Sequence, residues 1–222
     1  MSESASLAHL AQWIGRTETR DDTAAAAPIV ALSALLDRDD PPPRAGDPVP
    51  QLAHWLYFLH VNRQSETGPD GHPKRGEFLP PVPLPRRMWA GSRLQFLQPL
   101  AVGEPITRVS RITDVKLKEG RSGPLAFVTV RYEVTGHRGL AITDEHDIVY
   151  RGGSGQASTA PLPAATDEAW SRTITPDPVL LFRYSAVTAN GHRIHYDQPY
   201  ATRVEGYPGL VVHGPLIATL LL

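Results

Sequence analysis

The chain has 222 residues, 41% of them hydrophobic and 20% charged, with a formal net charge of −1 and no cysteine. Without a surplus of basic charge there is no global field to hold nucleic acid. Without cysteine there are no disulfides, no thiolate metal ligands and no cysteine nucleophile, a composition that suits the cytoplasm.

The opening MSESASLAHLAQWIGR lacks the basic and long apolar regions of a secretory signal. Leu7, Leu10, Trp13 and Ile14 recur at helical spacing, which predicts a helix over Ser6 to Arg16 with Gly15 as its stop. A second helix is expected from Thr23 to Leu36, capped by Asp21 or Asp22, with Pro28 sitting awkwardly inside it. Asp39 to Pro50 is a loop by composition. Ala53 to Val61 is a short apolar run that periodicity leaves open between helix and strand. Asn62 to Pro85 is a long irregular segment holding GPDGHPKRG and PPVPLP, and such a connection within a compact domain is usually functional or disordered.

From Met88 the pattern turns to strands. Arg93 to Leu97, Thr107 to Lys118, Leu125 to Thr135 and Leu140 to Tyr150 are rich in Val, Ile, Thr and aromatics. Turn signals at Glu119–Pro124 and Gly136–Gly139 make the last three an antiparallel meander. Residues 1–152 therefore read as a first domain, 153–169 as a linker and 170–222 as the start of a second domain. The most apolar stretch, Gly209 to Leu222, contains His213 and Pro215 and falls short of the roughly 20 residues of a membrane span.

The chemistry concentrates between Leu181 and Leu222. Asn190-Gly191 is a turn signal, and Asn190, His192, His195 and Asp197 gather just before an expected buried helix, Leu210 to Leu222, led by His213-Gly214. A helix N-terminus stabilises developing negative charge, and a nearby histidine exchanges protons at neutral pH. Together they suit chemistry on a carbonyl whose oxygen becomes enolate-like. Loops carry polar residues routinely, so the same cluster taken alone is equally compatible with a plain polar loop.

The segment YSAVTANGHRIHYDQPYA resembles the hydration motif of MaoC-like (R)-specific enoyl-CoA hydratases, in which an aspartate is followed five residues later by a histidine, then by a small residue and a His-Gly-led helix. His195 matches the histidine, Ala201 the small residue and VVHGPL the helix start, while Asn190 stands in place of the aspartate. That form, together with GPDGHPKRGEFLPPVPLPRRMWAGSRLQF, is similar to the hydroxyacyl-thioester dehydratase type 2 family and its mesaconyl-C4-CoA hydratase branch. The resemblance implies an α+β double hot-dog fold, each unit a curved antiparallel sheet wrapped around one long helix, with the second unit cut short at Leu222. It implies hydration or dehydration of an acyl-CoA thioester without a metal or other cofactor, in a homo-oligomer with no membrane or nucleic-acid partner. His195 is then the acid–base residue, Asn190 the group that orients the water, and Gly214 the donor to the thioester carbonyl. Asp197 would assist if the chain there is extended, so that residues two apart share a face. His192 is expected at the rim or in a structural role, and His213 as packing at the helix start.

Arg86 and Arg87 are candidate ligands for CoA phosphates or a distal carboxylate; His72, Lys74 and Arg75 share that possibility with a plain solvated surface. Two rival readings remain. A non-catalytic protein that binds acyl-CoA or stabilises a partner is favoured by Asn190. A thioesterase is disfavoured, because its helix would offer only His213 and Thr219.

Overall fold

The computed structural model describes residues 8–120, 123–152 and 167–222. Residues 153–166, most of the expected linker, lie outside the described residues. A 3-10 turn at Ala8–Trp13 replaces the first expected helix. Strand β1, Thr17–Thr23, follows it, then helix α1, Ala26–Leu35. TETRDDT is polar on both faces, which hides an edge strand from periodicity. It alternates exposed and half-buried residues and pairs antiparallel with β3, Pro105–Gly120. Asp21 and Asp22 are thus strand residues and not caps. Asp22 holds the Thr23 and Phe58 amides, at 2.7 and 2.6 Å, and Ala25 caps α1 without a side-chain bond. Pro28 lies in the first turn of α1, where an amide has no intrahelical partner to lose.

β2 (Arg86–Phe96), β4 (Gly123–Gly136) and β5 (Gly139–Arg151) complete a five-stranded antiparallel sheet of order β1-β3-β4-β5-β2. The β3-β4-β5 meander forms as the turn chemistry predicts, and β2 crosses to pair with β5. One bulge in β2, between Trp89 and Gly91, re-aims the strand beside the candidate site.

The described part of the sheet is not wrapped around a long helix. Its covered face is filled by short pieces: Leu10, Val82 and Leu84 pack on Ile112, Val128, Val130 and Tyr150, while Tyr57 and Phe58 pack on Ile106, Val134 and Ile142. The 53–61 run becomes a single 3-10 turn, Ala53–Leu56, bracketed by Leu52 and Phe58 at positive φ.

In the second segment, α2 (Pro178–Val187) and α3 (Gln198–Arg203) each begin with an aspartate cap and a proline in the first turn. Asp177 accepts the Leu180 N–H at 2.7 Å and Asp197 the Tyr200 N–H at 3.1 Å. α4 (Gly214–Leu221) is buried on one side only: Leu216 is fully covered, while Ile217 and Leu221 are exposed. Leu216 joins Leu181 and Tyr184 of α2 and Ile29, Leu32 and Leu35 of α1 in one apolar cluster, which seats the second segment on the first.

Candidate active site

The motif begins in a tight turn after α2. Ala189 takes a positive φ, the Asn190 N–H bonds to the Ser185 carbonyl at 2.8 Å, and the Asn190 side-chain oxygen accepts the His192 N–H at 3.0 Å. The chain continues through a 3-10 turn, Arg193–His195, into the cap of α3. It is not extended, so His195 and Asp197 do not share a face. Asp197 accepts two bonds from the Arg193 guanidinium, at 2.9 and 2.7 Å, and caps α3. It is spent on structure and does not join His195.

His195 is buried, with its Nδ1 2.7 Å from the Val211 carbonyl. A carbonyl only accepts, so Nδ1 carries the hydrogen and Nε2 is left as a lone-pair acceptor. Burial pushes the His195 pKa down, more than the Val211 carbonyl raises it, so the ring is neutral at pH 7. His195 stacks on His213 at 3.6 Å between ring centres. His213 Nε2 lies 2.9 Å from Ser185 Oγ, and burial and the neighbouring His195 hold its pKa at about 3. It is a fixed platform, as its place before the helix suggests. Gly214 follows and opens α4, where the first amides lack intrahelical partners. A Cβ on Gly214 would collide with the Trp89 ring, so the close fit of β2 against α4 requires glycine.

The irregular first-half segment completes the site. Asp70-Gly71-His72 and Asn190-Gly191-His192 form two like turns that face each other. In each, the first side chain accepts the histidine N–H at 3.0 Å. A Cβ on Gly71 would collide with the Gly191 backbone, and a Cβ on Gly191 would lie 2.5 Å from the Gly71 carbonyl oxygen. The Arg193 N–H donates to the Asp70 carbonyl at 2.9 Å, and its side chain to the Pro69 carbonyl at 3.0 Å. The His72 and His192 rings meet at 4.2 Å, and His192 and His195 at 5.5 Å. His72 Nδ1 is bonded to Asp70 at 3.1 Å. His72, His192, His195 and His213 thus form a row of imidazoles from the loop to the base of α4.

Of the expected ligand arginines, Arg86 pairs with Glu205 at 3.1 Å, both nearly buried, and so ties β2 to the segment after α3. Arg87 is near enough to the histidine row for its charge to help hold His72 and His192 neutral. Arg75 donates to the carbonyls of Val82, Leu84 and Pro85 at 2.7, 2.5 and 2.8 Å, fastening that segment. Thr219 donates to the Pro215 carbonyl at 2.8 Å and offers nothing to a nucleophile.

Sequence reasoning named His72 as a possible ligand for phosphates or a carboxylate but missed its place beside His192, although the repeated Asp/Asn-Gly-His pattern was its signal. It also missed Trp89 and the buried Asp144, which His146 links to it. Asp144 accepts from Trp55 at 2.9 Å and lies 2.7 Å from His146 Nε2, and the His146 ring is 6.3 Å from Trp89.

Residues 52–222 match the family model for hydroxyacyl-thioester dehydratase type 2. The chain is 52% identical over 217 residues to mesaconyl-C4-CoA hydratase of Chloroflexus aurantiacus, covering 95% of this chain and 76% of that one. It is 28% identical over 192 residues to the mitochondrial hydroxyacyl-thioester dehydratase type 2 of Schizosaccharomyces pombe, covering 76% of this chain and 64% of that protein. Among solved structures, HtdX of Mycobacterium tuberculosis aligns with a TM-score of 0.59 at 20% identity, over 93% of this chain and 75% of its own. A MaoC-like dehydratase aligns with a TM-score of 0.63 at 12% identity, over 92% and 74%. The structural neighbours place the α+β sheet and helices in the MaoC-like hot-dog fold, and the sequence matches fix the kinship: the chain belongs to the hydroxyacyl-thioester dehydratase type 2 family.

Proposed function

We propose that this chain is a hydro-lyase that adds water to, or removes it from, the α,β-double bond of an acyl-CoA thioester, and that mesaconyl-C4-CoA is the first substrate to test. The observation that carries this reading is His195: its Nδ1–H is held by Val211, its Nε2 is free to take a proton, and its ring is stacked at the start of α4. The Gly214 N–H, at that helix start, polarises the thioester carbonyl, and enolate character then acidifies the α-carbon. His195 handles the proton of the water at the β-carbon. These steps call on no metal or redox group. Arg87, near the histidine row, takes an anionic part of the substrate. The two segments, 1–152 and 170–222, are read as two hot-dog units joined by 153–169, working as a cytoplasmic homo-oligomer.

The test is a spectrophotometric screen of the protein against enoyl-CoA thioesters with and without a distal carboxylate. Loss of the enoyl-thioester absorbance on mesaconyl-C4-CoA is the expected result. Binding without turnover of any thioester would favour the acyl-CoA-binding reading instead.

A further inference from the structure

Adding water to a double bond requires two acceptors on the water: one to take a proton, and one to hold the other hydrogen so that a lone pair faces the β-carbon. His195 Nε2 is the first. Asn190 was the expected second, and its side-chain oxygen spends one lone pair on the His192 N–H, which ties its direction to the turn. Asp197 is bound to Arg193 and to the start of α3.

His192 is the residue on which the remaining contacts converge. Its backbone is fixed by Asn190, and its ring lies between His72 at 4.2 Å and His195 at 5.5 Å, perpendicular to the latter. The glycine-against-glycine contact of the two turns sets where that ring stands. The two rings stand edge to face with their centres 5.5 Å apart, so a water bonded to a nitrogen of each, at ordinary hydrogen-bond lengths of about 2.8 Å, sits beside the pair and not on the line between the ring centres. Burial above all, with the positive charge of Arg87, keeps His192 neutral, so it can offer a lone pair.

We propose that the reacting water is bound jointly by His192 and His195, with His192 as the second water-binding residue, and that Asn190 and the Asp70–His72 pair are positioning residues that act through His192. His195 takes one hydrogen of the water as its oxygen bonds to the β-carbon, and the electron pair of the double bond moves onto the thioester. His192 keeps the other hydrogen, which stays on the product hydroxyl. The proton on His195 then passes to the α-carbon, so atoms and charge balance. This rests on the hydratase reading above.

The experiment compares wild type with His192→Ala, His192→Asn, Asn190→Ala and the Asn190→Ala/His192→Ala double variant, reading kcat and KM on the thioester turned over by wild type, with melting curves for each. His192→Ala should lose on the order of 10²-fold in kcat with KM little changed. His192→Asn, which keeps an acceptor, should retain more. The double variant should be no worse than His192→Ala alone, because Asn190 acts through His192. A His192→Ala enzyme of wild-type kcat, or losses that simply add, would overturn the proposal. If His192→Ala fails to fold, His192→Asn against His192→Phe decides, phenylalanine keeping a ring without an acceptor: equal activity of the two contradicts the proposal. A wild type that turns over no thioester would instead sink the hydratase reading.

Discussion

Neutral imidazoles define this site at the scale of single residues. His192, His195 and His213 are all pushed below the ordinary histidine pKa chiefly by burial, with Arg87 adding to the effect at His192. A base must be unprotonated, so activity should hold from neutrality down to about pH 6.5, the ordinary histidine value, and be lost only below it. The pH dependence of kcat/KM reports the free enzyme; an acid limb with an apparent pKa above 7 would contradict the buried, neutral His195. The sequence singles out His195 because its motif is long and its spacing specific. It did not show what holds Asp197 or the Asn190 side chain in place, since both depend on a local geometry that spacing does not determine. A 3-10 turn in place of the extended chain that an assisting Asp197 would need turns Asp197 to a helix cap and Arg193, and an Asx turn bonds the Asn190 oxygen to the His192 backbone.

Elements sort the basic residues that composition alone left undivided. Successive residues on β2 point to opposite faces, so Arg86 reaches Glu205 while Arg87 shares a face with Trp89 and Tyr150. Arg86→Ala strands a nearly buried Glu205 and should cost about 3 kcal/mol of stability, read as a lower melting temperature with KM unchanged in the folded enzyme. Arg87→Ala should raise KM instead. A rise for every CoA substrate assigns it to the phosphates, and a rise confined to carboxyl-bearing acyl groups assigns it to the distal carboxylate. Unchanged KM on both would remove Arg87 from the site. The fit of β2 against α4 gives a sharper test. In a helix, Gly→Ala ordinarily stabilises by about 0.5–1 kcal/mol; Gly214→Ala should destabilise by about 1–3 kcal/mol, because the methyl group meets Trp89. A higher melting temperature for the variant would show that Trp89 yields at no cost. The meander was readable from alternation and turn residues. β1 was not, because an edge strand as polar as TETRDDT carries no apolar face to alternate.

Across the whole molecule, the site exists only where two distant stretches of chain meet. The Asp70-Gly71-His72 turn comes from the irregular segment of the first half and the Asn190-Gly191-His192 turn from the second, locked glycine to glycine and crowned by Arg193 bonding back to Asp70. That meeting explains why the long segment before β2 lacks regular structure: its backbone is committed to the neighbouring turn and to Arg75. Neither turn alone announces it, because contact between residues so far apart is a property of the fold and not of local sequence. The most direct test of the account is side-by-side hydration of an enoyl-CoA thioester by wild type and His195→Ala, with matched melting curves. General acid–base groups contribute about 10²–10⁴-fold, so a loss of that size in kcat with an intact fold is the predicted result. A folded His195→Ala enzyme that turns over at the wild-type rate would contradict it.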